Sequence, residues 1–394
     1  MTKTVMKRRV MNGKRILMVA NAASMIKLFN MHNIKILQSL GYQVYVAANF
    51  STPGTISHKA NSVFKQELKQ SGVKYFNVKF ERGIGNPVAN RKVFRQLCDI
   101  VDQYHIQAIH THAPLSSVIS RQVAHHKHIK CIYTSHGFQF FKGGPLKNWV
   151  IFYPVERYYA RWTDALITIN SDDYRQAKKM PVRDVFYIPG IGTNIKQALD
   201  LPISYRHERR QKTRQALRVT DRDFLVLSVG ELSVRKNHAT ILKAIAKLNN
   251  PCVKYVIAGI GPEHDHLLQL AQELGISSQI KLLGFRNDVQ DLYLAADLNA
   301  FISRREGLGM GGLDGVALGT YTIASAITGA KDYIKDEKTG ILINNPTNVD
   351  EVVNAMAKVI THHLCAQPDR NFLMKFDQSN VDQLMTKIYQ RELN

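Results

Sequence analysis

The chain has 394 residues, more than one ordinary domain holds, and two domains are expected. That length excludes a single small binding module, and the 45% hydrophobic and 21% charged content is typical of a globular protein and excludes a disordered tail. Residues 1–200 hold 29 basic and 10 acidic side chains, a net charge of +19, and residues 201–394 hold 24 and 21, a net charge of +3. The basic first half therefore predicts an anionic partner, which could be lipid headgroups, nucleic acid or an acidic substrate; the alternative is a basic surface that only keeps the protein soluble.

The first half of the chain alternates short apolar runs with helical patterns. Strands are predicted at residues 16–20, 44–48, 73–78, 108–110, 130–134 and 165–169. Helices are predicted before residue 41 and over residues 90–104 and 115–127. Strands separated by helices of this length form βαβ units with a parallel sheet covered on both faces. We therefore predict a doubly wound, Rossmann-like α/β domain over residues 1–195.

A second set of the same kind follows a charged helix predicted over residues 205–217. Its strands are predicted at residues 224–229, 254–258, 280–283, 298–302, 321–324 and 340–343, with helices over 239–248 and 263–274. This predicts a second Rossmann-like domain over residues 196–374, and the pattern over 381–393 predicts a terminal helix. Two such domains facing each other form a cleft at the carboxyl ends of both sheets, where open α/β proteins bind ligands.

The cysteines and the apolar runs bear on the compartment of the protein. Cys98, Cys131, Cys252 and Cys365 form no C-x-x-C pair, which argues against a zinc ribbon or a disulfide framework and fits a reducing cytosol. No stretch reaches the roughly 20 apolar residues that span a bilayer. The basic residues 7–15 and the apolar run after them continue into a βα unit, so we expect no signal peptide and a cytoplasmic protein.

Three glycine-bearing turns follow predicted strands of the second domain. The longest, residues 303–319, enters a helix, and backbone N–H groups at such a turn bind phosphate. Glu306 lies at its mouth, and Asp314 follows eight residues later. The alternative is that these glycines only permit close packing.

The other two turns are shorter. Gly230 begins a turn that places Arg235 and Lys236 before a helix, where cations neutralise a diphosphate, unless the two form only a solvated charged pair. Gly259 and Gly261 lie in a tight turn after a strand, where glycine lets a ligand approach the backbone.

In this order, at these strand ends, the three turns resemble the nucleotide-sugar domain of retaining GT-B glycosyltransferases of family four. In the first half, residues 133–149, 153–156, 163–170 and 187–192 are similar to the subgroup that builds bacterial capsular and exopolysaccharide repeat units. The resemblance covers most of the chain. It implies two Rossmann-like domains facing across a cleft, with the terminal helix, about residues 375–394, crossing back onto the first domain.

The resemblance also implies roles for individual residues. Glu306 matches the carboxylate beside the transferred sugar, Asp314 the one that binds the ribose, and Lys236 the cation on the diphosphate. His136 matches a histidine that reaches the sugar, so the implied catalytic residues are His136, Lys236 and Glu306. The implied donor-binding residues are Gly230, Arg235, Lys236, Gly259, Gly261, Phe285, Arg286, Gly307, Leu308, Gly309, Met310 and Asp314.

Three positions depart from the family pattern. Asp314 replaces the usual Glu, and its side chain is one methylene shorter, so its ribose contact is expected to be longer or water-mediated. Glu231 stands where many relatives have Arg, which removes one cation and places more of the diphosphate charge on Lys236 and Arg235. Residues 21–25 lack the glycine often found in the first loop.

Histidines are dense in the first half of the chain. His110 and His112 alternate on a predicted strand, and His125, His126 and His128 follow in a helix end or turn. Because no carboxylate or cysteine completes a ligand set, we expect ordinary surface and strand-end histidines and no metal site. His136 stands apart, since it follows a strand and is expected to face the cleft.

The sequence thus predicts a retaining hexosyltransferase with a nucleoside diphosphate sugar, expected to be a UDP-sugar, as donor and no metal or other cofactor. The resemblance implies a lipid-linked or polysaccharide acceptor in cell-surface polysaccharide synthesis and a peripheral place on the inner face of the plasma membrane. The alternatives are a catalytically impaired GT-B relative, a nucleotide-sugar epimerase or, more distantly, a basic nucleic-acid-binding protein. Nucleic acid is not the expected partner, because the chain lacks a helix-turn-helix, zinc finger or RNP-type strand.

Overall fold

A computed structural model describes residues 13–81, 83, 85–327 and 329–393 of the chain. Two parallel sheets organise it, the first with seven strands in the order β3-β2-β1-β4-β5-β6-β7. Its strands are β1 (Arg15–Val19), β2 (Gln43–Ala48), β3 (Lys74–Asn77), β4 (Ala108–His112), β5 (Lys130–Ser135), β6 (Ala165–Thr168) and β7 (Asp184–Tyr187). The helices between them are α1 (Ala23–Phe29), α2 (Met31–Ser39), α3 (His58–Gln70), α4 (Pro87–Tyr104), α5 (Pro114–Lys127), α6 (Leu146–Ala160) and α7 (Ser171–Ala177).

The second sheet has six strands in the order β10-β9-β8-β11-β12-β13. They are β8 (Phe224–Val229), β9 (Val253–Ala258), β10 (Ile280–Leu282), β11 (Leu298–Phe301), β12 (Tyr321–Ser325) and β13 (Gly340–Ile343). The helices after the first sheet are α8 (Ile195–Leu199), α9 (Ile203–Leu217), α10 (His238–Leu248), α11 (His264–Glu273), α12 (Val289–Ala295), α13 (Met310–Ala317), α14 (Ala330–Tyr333), α15 (Val349–Thr361), α16 (Arg370–Leu373) and α17 (Gln378–Leu393).

The central strands of both sheets are buried on both faces, as parallel sheets require. Four consecutive residues of β1, from Ile16 to Val19, are inaccessible to solvent. Their side chains alternate between two cores, one on each face of the sheet. This is why the sequence shows continuous apolar runs at these strands and no alternation of apolar and polar residues.

The helical pattern before residue 41 forms two helices, although the sequence predicted one. Asn30 separates α1 from α2 with a φ of −128°, outside the helical range. Its buried side-chain amide donates to the carbonyl of Met25 at 3.0 Å, which stabilises the break.

The chain crosses between the two sheets twice at one place. Thr193 pairs with Asp377, and the N–H of Gln378 donates to the carbonyl of Thr193 at 2.8 Å. From there α17 packs against α2 of the first domain. The hydroxyl of Tyr389 on α17 bonds to Nδ1 of His110 at 2.8 Å, which ties the last helix to the first sheet.

No helix in the described part of the chain is both long enough and apolar enough to cross a bilayer.

Candidate functional site

The predicted donor-binding turns lie along one edge of the second sheet. Strands β9, β8 and β11 are adjacent, so the loops after them, which begin at Gly259, Gly230 and Ile302, leave the sheet side by side. Sheet order reverses direction at β8, because β9 pairs with one side of it and β11 with the other. This is the kind of switch point at which α/β proteins bind ligands.

Lys236 and Glu306, from two of these loops, are in direct contact. Lys236 Nζ lies 2.7 Å from Glu306 Oε1, and Arg235 Nη1 lies 2.8 Å from the same oxygen. Burial alone would raise the pKa of Glu306, but the charges of Lys236 and Arg235 hold it below its ordinary value. The site therefore carries a carboxylate between two cations at neutral pH.

Backbone and amide contacts fix the loop that carries the two cations against the loop that carries Glu306. Asn237 adopts a left-handed conformation with φ of 63°. Its side-chain amide donates to the carbonyl of Ile302 at 3.1 Å, and the N–H of Arg304 donates to the carbonyl of Arg235 at 2.8 Å. The positions of Lys236 and Glu306 thus follow from the pairing of the two loops and not from their ion pair alone.

Two further charged side chains belong to this cluster. Glu231 Oε2 lies 3.6 Å from Arg235 Nη2, so the residue that departs from the family pattern offsets one of the two cations. Arg305, which the sequence analysis did not select, adds a positive charge close enough to interact with Arg235 and Glu306. Its guanidinium bonds to Gln139 of the first domain. The one signal for Arg305 in the sequence was its place beside Glu306.

Close packing against neighbouring protein atoms by itself requires glycine at three positions in these turns. A Cβ on Gly259 would lie 1.8 Å from the carbonyl oxygen of Gly230, and one on Gly261 would lie 2.3 Å from that of Leu232. A Cβ on Gly312 would lie 2.0 Å from the hydroxyl of Tyr333. The space beside these three glycines is therefore filled by protein, and the role of Gly259 and Gly261 at a nucleotide stays a prediction.

The segment from Gly307 to Met310 joins Glu306 to α13. Gly309 has φ of 86°, which favours glycine, and its carbonyl accepts from Tyr333 at 3.1 Å. Leu308 is buried near Gly190, in a hydrophobic core to which residues of both domains contribute. Met310 begins α13, and Gly307 lies at the contact between the domains. That these residues bind the donor phosphate stays a prediction.

Asp314 lies on α13 and lines a cavity of about 510 Å³ between the domains. Lys27, His32, Thr193 and Tyr293 also line this cavity. Burial raises the pKa of Asp314 to about 7. The structure thus places Asp314 in an open cavity whose lining includes neither Lys236 nor Glu306.

The segment of Phe285 and Arg286, two of the implied donor-binding residues, lies on the surface beside this edge. Phe285 is 71% exposed, and Arg286 Nε donates to Asp288 Oδ1 at 2.7 Å. The N–H of Gly259 donates to the carbonyl of Gly284 at 2.8 Å, which holds the segment next to the turn after β9. An exposed ring at this place is free to stack on a planar ligand.

The two domains touch beside Glu306. A Cβ on Gly307 would lie 2.1 Å from the carbonyl oxygen of His136, so the two backbones are in close contact. Next to it, the N–H of Ser171 donates to Asp332 Oδ2 at 2.7 Å. His136 therefore lies at the domain contact, immediately beside the segment that carries Glu306.

The histidines of β4 are not surface residues, contrary to expectation. His110 and His112 are inaccessible to solvent, and His112 Nδ1 lies 3.1 Å from His136 Nε2. His110 bonds to Thr134 and Tyr389, both at 2.8 Å. The sequence could not show this, because β4 lies in the centre of the sheet and is covered by α17. The residue of α17 that contacts His110, Tyr389, lies 279 positions away in the chain.

Burial keeps these histidines neutral. It lowers the pKa of His110 to about 3 and that of His136 to about 4, and it lowers the pKa of His112 well below its ordinary value. At neutral pH, His112 and His136 share one proton between the two facing nitrogens. The His136 ring is thus held between this contact with His112 and the ring of Phe29, whose centroid lies 5.9 Å away.

The histidine cluster predicts a loss of stability in acid. In the unfolded chain each ring takes up a proton near pH 6.5, whereas in the folded chain it stays neutral down to about pH 4 or 3. The free energy of unfolding is therefore expected to fall as the pH falls below about 6.5, by about 2 kcal/mol for each of His110 and His136 at about pH 5. Urea unfolding at a series of pH values measures this, and His110→Gln is expected to flatten the slope. An equal slope in both proteins would contradict the assignment.

Among the described residues, no group of three or more His, Cys, Asp or Glu side chains is arranged to hold a metal ion.

Two family models match the two halves of the chain. The model of the glycosyl transferase 4-like domain matches residues 29–189, and that of the glycosyl transferases group 1 matches residues 209–372. The first match ends close to the crossing at Thr193, so each model falls on one sheet.

Similar proteins extend over nearly the whole chain. A Bacillus subtilis (strain 168) protein named as a glycosyltransferase, EpsD, is 32% identical over 386 residues, 95% of this chain and 96% of its own. An Escherichia coli UDP-Gal:alpha-D-GlcNAc-diphosphoundecaprenol alpha-1,3-galactosyltransferase is 24% identical over 282 residues, 69% of this chain and 71% of its own. The crystal structure of Anabaena HepE in complex with UDP and glucose matches with a TM-score of 0.72 at 18% identity, over 96% of this chain and 100% of that one. At this identity the match to HepE shows a common fold.

Proposed function

This chain belongs to the group 1 glycosyltransferases, with the GT-B fold and a family 4 type of N-terminal domain, and from that membership we propose its reaction. The enzyme transfers a hexosyl group from a nucleoside diphosphate sugar, with UDP as the nucleotide, to a hydroxyl group of a lipid-linked or polysaccharide acceptor. The anomeric configuration of the sugar is retained. The names of the E. coli relative and of the HepE complex, which both contain UDP, support the choice of nucleotide.

The observation that carries the proposal is the contact of Lys236 and Arg235 with Glu306 at the carboxyl edge of β8 and β11. To bind a nucleoside diphosphate sugar, a site needs cations for the diphosphate and a hydrogen-bond-accepting group for the hydroxyls of the sugar. This cluster offers both within the reach of one molecule. The backbone of His136 lies beside it, at the domain contact, and we propose that the acceptor enters next to this contact.

The charges of the cluster match the charges that develop in the reaction. The bond between C1 and the diphosphate oxygen breaks, its electron pair leaves with the diphosphate, and positive charge grows on the sugar ring. Lys236 and Arg235 stabilise the departing diphosphate, and a single preorganised donor of this kind is typically worth about 3–4 kcal/mol. Glu306, held as a carboxylate by the same cations, stabilises the charge on the ring.

Retention follows if the acceptor attacks the face from which the diphosphate departs. The acceptor oxygen forms the new bond to C1, and its proton passes to the departing phosphate oxygen. Glu306 then positions the sugar and is not a nucleophile. Lys236 and Arg235 supply the positive charge, so no metal is needed.

The acceptor side of the proposal rests on charge and on the relatives. The excess of basic residues lies in the first half of the chain, and anionic lipids attract each well-placed Lys or Arg by about 1 kcal/mol. The E. coli relative is named for an acceptor linked to diphosphoundecaprenol. We therefore propose a lipid-linked glycan acceptor at the inner face of the plasma membrane, in the synthesis of a cell-surface polysaccharide.

A screen of nucleotide-sugar donors tests the reaction. The purified enzyme is incubated with each donor, with and without a lipid-diphosphate sugar acceptor, and release of the nucleoside diphosphate is measured. We expect one UDP-hexose to be consumed faster when acceptor is present, with a glycosylated lipid as product. Conversion of the donor sugar without any acceptor indicates an epimerase, and no turnover of any donor indicates an impaired relative. Binding to DNA with a steep salt dependence and no turnover indicates a nucleic-acid-binding protein.

Asp314 predicts a pH dependence of donor binding. With a pKa of about 7, Asp314 is increasingly ionised as the pH rises through 7, and only the carboxylate accepts hydrogen bonds from both ribose hydroxyls. The Michaelis constant for the donor is therefore expected to fall as the pH rises from about 6 to about 8. In Asp314→Asn it is expected to be higher and independent of pH over this range. An unchanged Michaelis constant in this variant rules out a ribose contact.

A further inference from the structure

Helix α6 is apolar on both sides, although only one side is buried. Its inner side packs Trp149, Phe152 and Tyr153 against a core that includes Phe140. A helix of a globular protein usually turns a polar face to solvent. The outer side of α6 instead carries five exposed large apolar residues: Leu146, Val150, Ile151, Val155 and Tyr158.

This concentration of apolar surface is unusual within the described part of the chain. Leu146 is 78% exposed and Val150 is 68% exposed. Elsewhere in the described residues, exposed large hydrophobic side chains occur no more than twice in any helix or loop. Single exposed apolar residues are normal, whereas a contiguous group marks a surface that binds something.

The exposed charged residues on α6 and next to its ends are all basic. Lys142, Lys147, Arg157 and Arg161 are exposed and lie on α6 or next to its ends. The one carboxylate of α6, Glu156, points inward and pairs with Arg121 at 2.9 Å. An apolar helical face with basic residues and no exposed carboxylate is the pattern of a helix that lies in the interface of an anionic membrane.

The face begins next to the site. The carbonyl of Gln139 accepts from the side chain of Asn148 at 2.8 Å, near the start of α6. The side chain of the same Gln139 bonds to Arg305, the neighbour of Glu306. A partner that binds to the outer side of α6 therefore lies close to the domain contact beside which we propose that the acceptor enters.

We propose that the exposed face of α6, defined by Leu146, Val150, Ile151, Val155 and Tyr158, docks on an anionic lipid bilayer with Lys142 and Lys147 at the headgroups. The apolar side chains enter the boundary between headgroups and acyl chains, and α6 lies parallel to the membrane. The docking rests on the proposed function in one respect, that the acceptor is lipid-linked. The proposed docking surface would hold the cleft between the domains close to the membrane that contains such an acceptor.

Vesicle binding of the full chain tests the docking surface. Sedimentation is measured with vesicles of phosphatidylcholine alone and of phosphatidylcholine mixed with phosphatidylglycerol, with no donor or acceptor present. We expect binding to the mixed vesicles, and a fall of about tenfold or more in the partition coefficient for Leu146→Ser with Val150→Ser. For Lys142→Gln with Lys147→Gln we expect a comparable fall, seen on the mixed vesicles only.

The matched control replaces exposed apolar residues of the second domain, Ile203→Ser with Leu268→Ser, and is expected to bind as the unchanged protein does. A second measurement does not depend on these variants. An environment-sensitive fluorophore at Val150→Cys is expected to shift to the blue on mixed vesicles, and one at Ile203→Cys is not. Both are made with Cys252→Ser and Cys365→Ser, since those two thiols are exposed.

Three results would overturn the inference: no vesicle binding by the unchanged protein, equal binding by the α6 variant, or a dimer in solution that the α6 substitutions dissociate. The last would assign the face to a second copy of the chain. Turnover of the donor with a short, water-soluble acceptor separates these outcomes from failure of the proposed function. We expect the α6 variants to keep that turnover, so an active enzyme without vesicle binding would contradict the docking alone.

Discussion

Replacing Lys236 with alanine is expected to lower kcat about a hundredfold, the typical scale for loss of one preorganised donor to a developing negative charge. Lys236 is held in place by the carboxylate of Glu306 at 2.7 Å and by the ring of Phe301, whose centroid lies 4.6 Å from Nζ. No solvent reorganisation is then needed when the diphosphate departs. Steady-state kinetics with the donor identified in the screen measure the effect.

The control for Lys236→Ala is Lys247→Ala, which removes a lysine from the same region. Lys247 lies on α10 and is 58% exposed, in a surface pair with Asp350. Surface pairs of this kind contribute little to stability, so we expect kcat and the unfolding curve to stay unchanged. If Lys236→Ala folds normally and turns over at the original rate, Lys236 does not contact the diphosphate.

Replacing Glu306 with glutamine is expected to lower kcat by at least about a hundredfold with a smaller effect on the donor Michaelis constant. The amide keeps the size of the side chain but carries no charge, so the positive charge on the sugar ring is no longer stabilised. It also leaves Lys236 and Arg235 without the carboxylate that both contact. Kinetics and single-turnover measurements separate the chemical step from binding.

Glu337→Gln serves as the control for this variant. Glu337 is exposed and pairs with Lys358 on the surface of the second domain, so its loss is expected to leave kcat unaltered. A Glu306→Gln enzyme that raised only the Michaelis constant would show that Glu306 binds the sugar without stabilising the transition state.

The parallel sheets were predictable because their strands are continuous apolar runs. Strand β8, for example, was predicted with the bounds that the structure shows. Helices without one apolar and one polar face were harder to predict. Helix α6 was not predicted, because it contains Pro154 and is apolar on both sides. The break between α1 and α2 depends on a hydrogen bond from Asn30, which no periodicity reveals.

The candidate site was predictable where a residue follows a strand. Lys236 and Glu306 come after β8 and β11, and strand adjacency then brings them together. Arg305 and Gln139 were not predicted as partners, because their contact depends on how the two domains meet. The packing reason for Gly259 and Gly261 was also hidden, since the backbone that fills the space beside them belongs to a different loop.

A crystal structure of the protein with an intact UDP-sugar tests the central claim most directly. We predict that the diphosphate contacts Lys236 and Arg235, that the sugar lies against Glu306, and that the ribose hydroxyls reach Asp314. A UDP-sugar bound elsewhere, with no contact to Lys236, Arg235 or Glu306, would contradict the assignment of this cluster as the donor site.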